Sequence, residues 1–134
     1  MAKYSNRDLE DFFDAYVEAA LAFTNDESTE QGGEPLDRNY GPDDLAQSAE
    51  DELVVLAKKF LDKAWPLLEQ APSRINGYPY LEMAGHDFWL THNEYGAGFG
   101  DGDWPDEIDD RLHDLAQKFP TVNLYVGDDG KIYT

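Results

Sequence analysis

The stretch of sequence that decides the fold reads Phe88-Trp89-Leu90-Thr91-His92-Asn93-Glu94-Tyr95-Gly96-Ala97-Gly98-Phe99. Aromatic and β-branched residues on both sides of a short polar break are typical of a β-hairpin. With Asn93-Glu94 as a two-residue loop, Phe88 would face Phe99 across the ladder, and Leu90 would face Ala97. We therefore predict a β-hairpin over residues 88–99.

The residues at the start of the chain predict an amphipathic helix over residues 6–23. Ser5 followed by Asp8 is typical of a helix N-cap with its capping partner. The apolar residues recur at helical spacing and are Leu9, Phe12, Phe13, Tyr16, Val17, Ala20 and Leu21. The next segment, 24–41, is polar and contains Gly32-Gly33, so we predict a mobile loop there.

A second helix is predicted to begin near Pro42, because proline is favoured in the first turn of a helix. Its apolar face would consist of Leu45, Leu53, Leu56, Ala57, Phe60, Leu61, Ala64 and Leu68. Pro66 should kink or end this helix. The five residues 80–84, which precede Gly85, predict no more than one short helical turn.

After the hairpin, Asp103 is predicted to cap a third helix that Pro120 ends. Alternating residues from Val122 to Val126 and the turn Asp128-Asp129-Gly130 then predict a second hairpin. The order α-α-ββ-α-ββ indicates an α+β fold, with two or three helices on a small antiparallel sheet made of the two hairpins. At 134 residues, positions 1–134 are predicted to form a single domain.

The charge of the chain excludes several classes of protein. It contains 29 Asp and Glu residues against 10 Lys and Arg residues, for a formal net charge of −19. Direct binding to nucleic acid requires a basic face that neutralises phosphates, and binding to anionic membranes requires the same. We therefore expect a protein partner rather than a nucleic acid or a membrane, and the sequence does not predict the oligomeric state.

The absence of cysteine removes disulfides, thiolate metal sites and thiol nucleophiles from consideration. The first residues lack the apolar core of a secretory signal, so the expected location is the cytoplasm. Serines occur only in predicted caps or loops, without the tight strand-to-helix turn of a hydrolase nucleophile. We predict a protein that is not an enzyme and that needs no cofactor.

The histidine-rich region is the alternative place for chemistry. In the predicted hairpin register His86 lies opposite Asp101, which favours a structural hydrogen-bonded pair over a metal site. His92 would lie far from His86 along an extended strand. The acids in residues 101–107 do not follow a calcium-binding loop, because the fifth position is Pro105. His86 and Asp101 are thus weak metal candidates.

Two rows of carboxylates are the stronger functional signal. Glu10, Asp14 and Glu18 repeat every four residues on the first predicted helix, so they share one face about 6 Å apart along its axis. The third predicted helix carries a similar set, namely Asp106, Asp109, Asp110 and Asp114. Such rows can imitate the phosphates of DNA toward a basic protein groove, although charged helix faces are commonly only solvated.

The second half of the chain resembles a family of small bacteriophage-encoded proteins. The resemblance lies in residues 84–93, residues 96–99 and the later run Asn123-Leu124-Tyr125-Val126-Gly127-Asp128-Asp129-Gly130-Lys131-Ile132-Tyr133. It spans about 50 residues and leaves residues 1–83 outside. It implies a phage gene product that acts in the bacterial cytoplasm, and it supplies no catalytic residues.

Together these features predict a phage accessory protein that binds and inhibits a host nucleic-acid-binding defence protein through an acidic, DNA-like surface. One alternative is a non-catalytic virion or protein-interaction module whose acidity serves solubility. A second alternative is a metal-dependent enzyme that uses the region of His86, Asp87, His92 and Asp101.

Overall fold

The computed structural model describes residues 3–29 and 32–134, which form four α-helices and three two-stranded antiparallel ladders. The helices are α1 (Asn6–Phe23), α2 (Gln47–Leu68), α3 (Tyr80–His92) and α4 (Asp106–Gln117). The ladders pair β1 (Asn25–Asp26) with β2 (Glu34–Pro35), β3 (Arg74–Ile75) with β4 (Tyr78–Pro79), and β5 (Tyr125–Val126) with β6 (Ile132–Tyr133). The α+β class is confirmed, but helices dominate and the strands form no common sheet.

The first helix has the bounds that the sequence predicts. Its N-terminus is closed by a capping box, in which the Asp8 N–H donates to Ser5 Oγ over 3.1 Å and the Ser5 N–H donates to Asp8 Oδ2 over 2.9 Å. Five of the seven predicted apolar residues are buried, and Leu9 and Phe13 are half-buried. The periodicity was therefore sufficient to place this helix.

The segment predicted as a loop folds back on itself. β1 pairs with β2, and the Leu36 N–H donates to the carbonyl of Thr24 over 2.9 Å, next to a short 3-10 turn, Leu36–Arg38. Leu36 is fully buried. Residues 30 and 31 of this segment lie outside the described residues. The mobility of residues 24–41 stays a prediction.

The predicted hairpin over residues 88–99 is wrong, because Phe88 to His92 belong to α3. This helix is buried nearly all round from Ala84 onward, between α1 and α4. A helix with no solvent face has no 3.6-residue pattern of polar residues, so its short aromatic run cannot be told from a buried strand. The predicted short turn at residues 80–84 is the first part of the same helix.

Residues 94–105 form an irregular loop rather than a strand. Gly96 and Gly98 have φ angles of 74° and 110°, which no strand uses. At Gly98 the loop lies against α3, since an added Cβ would stand 2.5 Å from Thr91 Oγ1 and 2.7 Å from the Asp87 carbonyl oxygen. The glycines therefore permit a close approach of loop to helix.

The remaining elements follow the sequence with smaller corrections. Pro42 opens a 3-10 turn, Pro42–Asp44, and α2 begins at Gln47 and keeps Pro66 within its last turns. The residue that precedes α4 is Pro105 with no side-chain cap, so the predicted cap at Asp103 is wrong. The second predicted hairpin is confirmed as β5 and β6, and it docks on the start of α2.

Aromatic rings from α1, α2 and α3 form the centre of the core. Phe60 stacks on Phe88 with ring centroids 4.2 Å apart, and Tyr16 stacks on Phe88 at 5.1 Å. Phe12 lies 5.9 Å from both phenylalanines. Among residues 3–29 and 32–134, none of the helices combines the length and apolar character needed to cross a lipid bilayer.

Candidate functional site

An open groove of about 940 Å³ lies between α1 and the segment that leads into α2. Six carboxylates line it, and we call it the acidic groove; they are Glu10, Asp14, Glu18, Asp37, Asp43 and Glu50. Its volume lies within the range of ligand-binding clefts, although it is open along its length. The groove is therefore large enough for an extended segment of another protein.

One wall of the acidic groove is the carboxylate row predicted on α1. Glu10, Asp14 and Glu18 are all exposed. Among the described residues, no lysine, arginine or histidine nitrogen lies within 4.0 Å of their carboxylates. Their charges are consequently available to a partner.

The opposite wall was not found from the sequence. Asp37 belongs to the 3-10 turn after β2, Asp43 to the turn before α2, and Glu50 to the first turn of α2. They have no common period along the chain, so only the folding back of residues 24–46 places them across from α1. The one signal was the high acid content of this segment.

The floor of the acidic groove is apolar. Leu9, Phe13 and Val54 are half-buried there, and Tyr40 borders them. In the described part of the chain, Lys131 is the single lysine or arginine that lines the groove. A partner can thus bury apolar surface as well as pair its charges, which a merely solvated acidic face does not offer.

The second predicted row lies elsewhere. Asp106, Asp110 and Asp114 are exposed on α4, and no residue of α4 lines the acidic groove. Asp109, which was placed in the same row, is only 4% exposed. Its assignment to an acidic surface is wrong, because it faces the protein interior. The two rows therefore do not form one surface.

Asp109 instead organises the loop before α4. Its Oδ1 accepts the Gly100 N–H over 2.8 Å, and its Oδ2 accepts the Gly102 N–H over 3.0 Å. Both glycines have φ angles of 95°, so the loop bends sharply to present these N–H groups. A single carboxylate thereby satisfies two backbone donors that regular structure does not pair.

The substitution Asp109→Asn is expected to lower the free energy of unfolding by about 2 kcal/mol. The new amide group points a donor at one of the two glycine N–H groups, which loses its acceptor. Urea denaturation of both proteins measures the change. The neighbouring, exposed Asp110→Asn is the control and should change stability by no more than about 0.5 kcal/mol. Equal effects of the two variants would contradict the assigned role.

The weak metal candidates are not brought together. His86 lies on α3, with its Nδ1 3.3 Å from Asp87 Oδ1. Asp101 Oδ2 accepts the Gly98 N–H over 3.1 Å in the loop after α3. The pairing of His86 with Asp101 depended on the hairpin and is wrong with it. Within the described ranges, no three His, Asp or Glu side chains converge as a metal ion would require.

His92 is a buried structural residue. It is 1% exposed, its Nδ1 lies 2.9 Å from the carbonyl oxygen of Pro120, and its Nε2 lies 2.9 Å from the Tyr16 hydroxyl. A carbonyl can only accept, so Nδ1 carries the proton and Nε2 accepts the tyrosine O–H. Burial lowers the pKa of His92 to about 4, and the bond to Pro120 opposes this only in part.

Asp87 is likewise engaged within the protein. It is 2% exposed, and its Oδ2 accepts the Trp104 indole N–H over 2.9 Å. Its backbone carbonyl accepts the Thr91 hydroxyl over 2.7 Å, and Thr91 Oγ1 in turn accepts the Phe99 N–H over 3.0 Å. Asp87 and Thr91 therefore fix the loop 94–105 to α3.

Comparison of the chain with models of known protein families, with curated proteins and with solved structures finds no match. The resemblance to bacteriophage-encoded proteins consequently stays a prediction, and the function is argued from the geometry of the acidic groove.

Proposed function

We propose that this protein binds the basic, nucleic-acid-binding surface of another protein through the acidic groove and thereby keeps nucleic acid from that surface. The observation that carries the proposal is the convergence of six carboxylates from separate segments around one groove with an apolar floor. The complementary partner carries lysine and arginine side chains on a ridge or strand that fits the groove.

The charge density of the groove supports the comparison with DNA. The row on α1 alone provides one charge per about 6 Å, whereas one strand of duplex DNA provides one per about 3.4 Å. The opposite wall contributes another three carboxylates and doubles the number around the groove. A site that evolved to release counterions from phosphates would gain part of the same effect here.

The resemblance to phage-encoded proteins suggests the biological setting for this activity. In that setting the partner is a host protein that acts on phage nucleic acid, and the bound acidic protein inhibits it by competition. Such an inhibitor needs no catalysis and no cofactor, since occupation of the basic surface is enough.

Neutralising the α1 row is expected to weaken binding to a basic partner by about a hundredfold, if each charge is worth about 1 kcal/mol in a partly apolar groove. The variant is Glu10→Gln, Asp14→Asn and Glu18→Gln. A fluorescein-labelled nona-lysine peptide serves as a defined probe, and fluorescence anisotropy at several salt concentrations measures the dissociation constant. Binding should weaken steeply as salt rises.

The matched control is Asp106→Asn, Asp110→Asn and Asp114→Asn, which removes the same charge from the exposed face of α4. An equal loss in both variants would show that net charge alone attracts the peptide and would refute a specific groove. The second stage uses bacterial DNA-binding proteins captured on the immobilised protein. Duplex DNA should displace them, and simultaneous binding of DNA and this protein would refute mimicry.

A further inference from the structure

A second concavity, of about 480 Å³, lies on the other side of α1. We call it the aromatic pocket and define it by Phe23, Tyr78, Met83, His86, Glu18 and Glu82. α1 and α3 form its long sides, and the turn between β3 and β4 closes one end. No part of the proposed function has used this pocket.

The pocket is hollow because small residues line its floor. Ala15, Ala19 and Ala22 from α1 lie there, opposite the side chains of α3. The helix backbones approach closely at Gly85, so the larger side chains project around the recess rather than into it. The sequence of α1 thus leaves a recess beside its most tightly packed contact.

The walls of the pocket expose aromatic rings to solvent. Tyr78 is 60% exposed and Phe23 is 42% exposed, among the largest values for apolar side chains here. Phe23 is held by an edge contact with His86 at 5.6 Å, and the Tyr95 hydroxyl donates to the Phe23 carbonyl over 2.7 Å. The aromatic surface therefore has a defined position and no covering residue.

We propose that the aromatic pocket receives an arginine side chain of the basic partner, an inference that rests on the proposed function of the acidic groove. A guanidinium group stacks on aromatic faces and binds carboxylates through a planar set of N–H donors. Tyr78 and Phe23 supply the faces, and Glu18 and Glu82 supply acceptors at the rim. The sulfur and methylenes of Met83 contact the aliphatic part of the side chain.

The composition of the pocket favours arginine over the other occupants of similar size. An anion is repelled by Glu18 and Glu82, and a neutral apolar group leaves both carboxylates without a donor. Lysine satisfies the carboxylates but has a strongly hydrated ammonium group that stacks less well than guanidinium. Buried arginine is also a common anchor at protein interfaces.

Glu18 connects the two concavities, because it lines both the acidic groove and the aromatic pocket. A basic segment that crosses α1 near this residue can place lysines along the groove and one arginine in the pocket. The groove then provides the salt-dependent attraction, and the pocket provides the choice between lysine and arginine.

The test compares fluorescein-labelled nona-arginine with nona-lysine by anisotropy at physiological salt. The native protein is expected to bind the arginine peptide about tenfold more tightly. Tyr78→Ala and Glu82→Gln should each remove most of this preference and leave the affinity for the lysine peptide unchanged. Tyr125→Ala, which removes an exposed tyrosine outside both concavities, and Glu107→Gln are the matched controls and should keep the preference.

A second measurement examines the pocket without the groove. N-acetylarginine amide is titrated into the native protein, and NMR chemical shifts of Phe23, Tyr78 and Met83 are followed against those of Tyr125. Changes that saturate at the first three residues support the pocket, and uniform changes overturn it. N-acetyllysine amide should produce smaller changes at the same residues.

The outcomes separate the two proposals. Equal affinity for the two peptides, with loss of both in the α1 row variant, overturns the arginine pocket and leaves the acidic groove supported. A preference for arginine that survives Tyr78→Ala and Glu82→Gln also overturns the pocket. If neither peptide binds in a salt-dependent way, the proposed function itself fails, whatever N-acetylarginine amide does.

Discussion

The substitution Gly85→Ala is expected to lower the free energy of unfolding by about 3 kcal/mol or more. An added Cβ at this position would stand 2.2 Å from the carbonyl oxygen of Phe12 and 2.9 Å from the amide nitrogen of Tyr16. Both atoms belong to the backbone of α1, so no side-chain rotation can relieve the overlap. The two helices must separate across their most extensive contact.

A second effect of the same substitution has the opposite sign but is smaller. Alanine is favoured over glycine inside a helix by about 1 kcal/mol. The overlap at 2.2 Å is far below any normal contact and is expected to outweigh this gain. Since small domains are stable by only about 5–15 kcal/mol, the variant should lose a large part of its stability.

Urea denaturation followed by tryptophan fluorescence measures this effect. Gly41→Ala is the control, because Gly41 has an extended backbone with φ of −127° and no atom within 4 Å of an added Cβ. We expect Gly41→Ala to change stability by no more than about 0.5 kcal/mol. Similar values for the two variants would mean that α1 and α3 can move apart at little cost.

Acidification is expected to destabilise the fold through His92 by about 3 kcal/mol between neutral pH and pH 4. The pKa of His92 is lowered from 6.5 to about 4 because burial disfavours the charged ring. Between these two values the unfolded chain binds a proton that the folded chain does not. The stabilisation is therefore complete above pH 6.5 and is lost as the pH falls toward 4.

The many carboxylates change the pH dependence in the opposite sense, because their mutual repulsion weakens as they begin to take up protons. The contribution of His92 is therefore measured as a difference between the native protein and His92→Gln, which cannot titrate. The variant is less stable at neutral pH but should lose about 3 kcal/mol less on acidification. Parallel stability curves would refute the assignment, and NMR titration of the His92 ring in the folded protein provides an independent check.

Helices with one solvent face were predictable, and the buried helix was not. α1 and α2 alternate apolar and polar residues with the helical period, and Ser5 and Asp8 mark where α1 begins. α3 lacks polar residues on any face from Phe88 to Leu90, so the same residue types also suit a strand. Its burial on all sides is a property of the packed structure, which a local pattern does not contain.

The candidate site was predictable to the same extent. The row of Glu10, Asp14 and Glu18 lies on a well-predicted helix and is exposed as expected. Asp109 follows the same type of pattern on α4 but is buried, because the two glycine N–H groups it accepts come from a loop that had been predicted as a strand. The aromatic pocket required the contact of α1 with α3, which the hairpin prediction excluded.

The close contact at Gly85 also determines how much entropy a binding reaction must lose. Acidic segments that bind basic proteins while disordered give up backbone freedom on binding, which weakens the affinity that their charges provide. Here the carboxylates of the acidic groove stand on a helix whose backbone is fixed against α3 before any partner arrives. Only the rotamers of the glutamate and aspartate side chains then remain to be ordered, at about 0.5–1.5 kcal/mol each. The groove is in this sense preorganised.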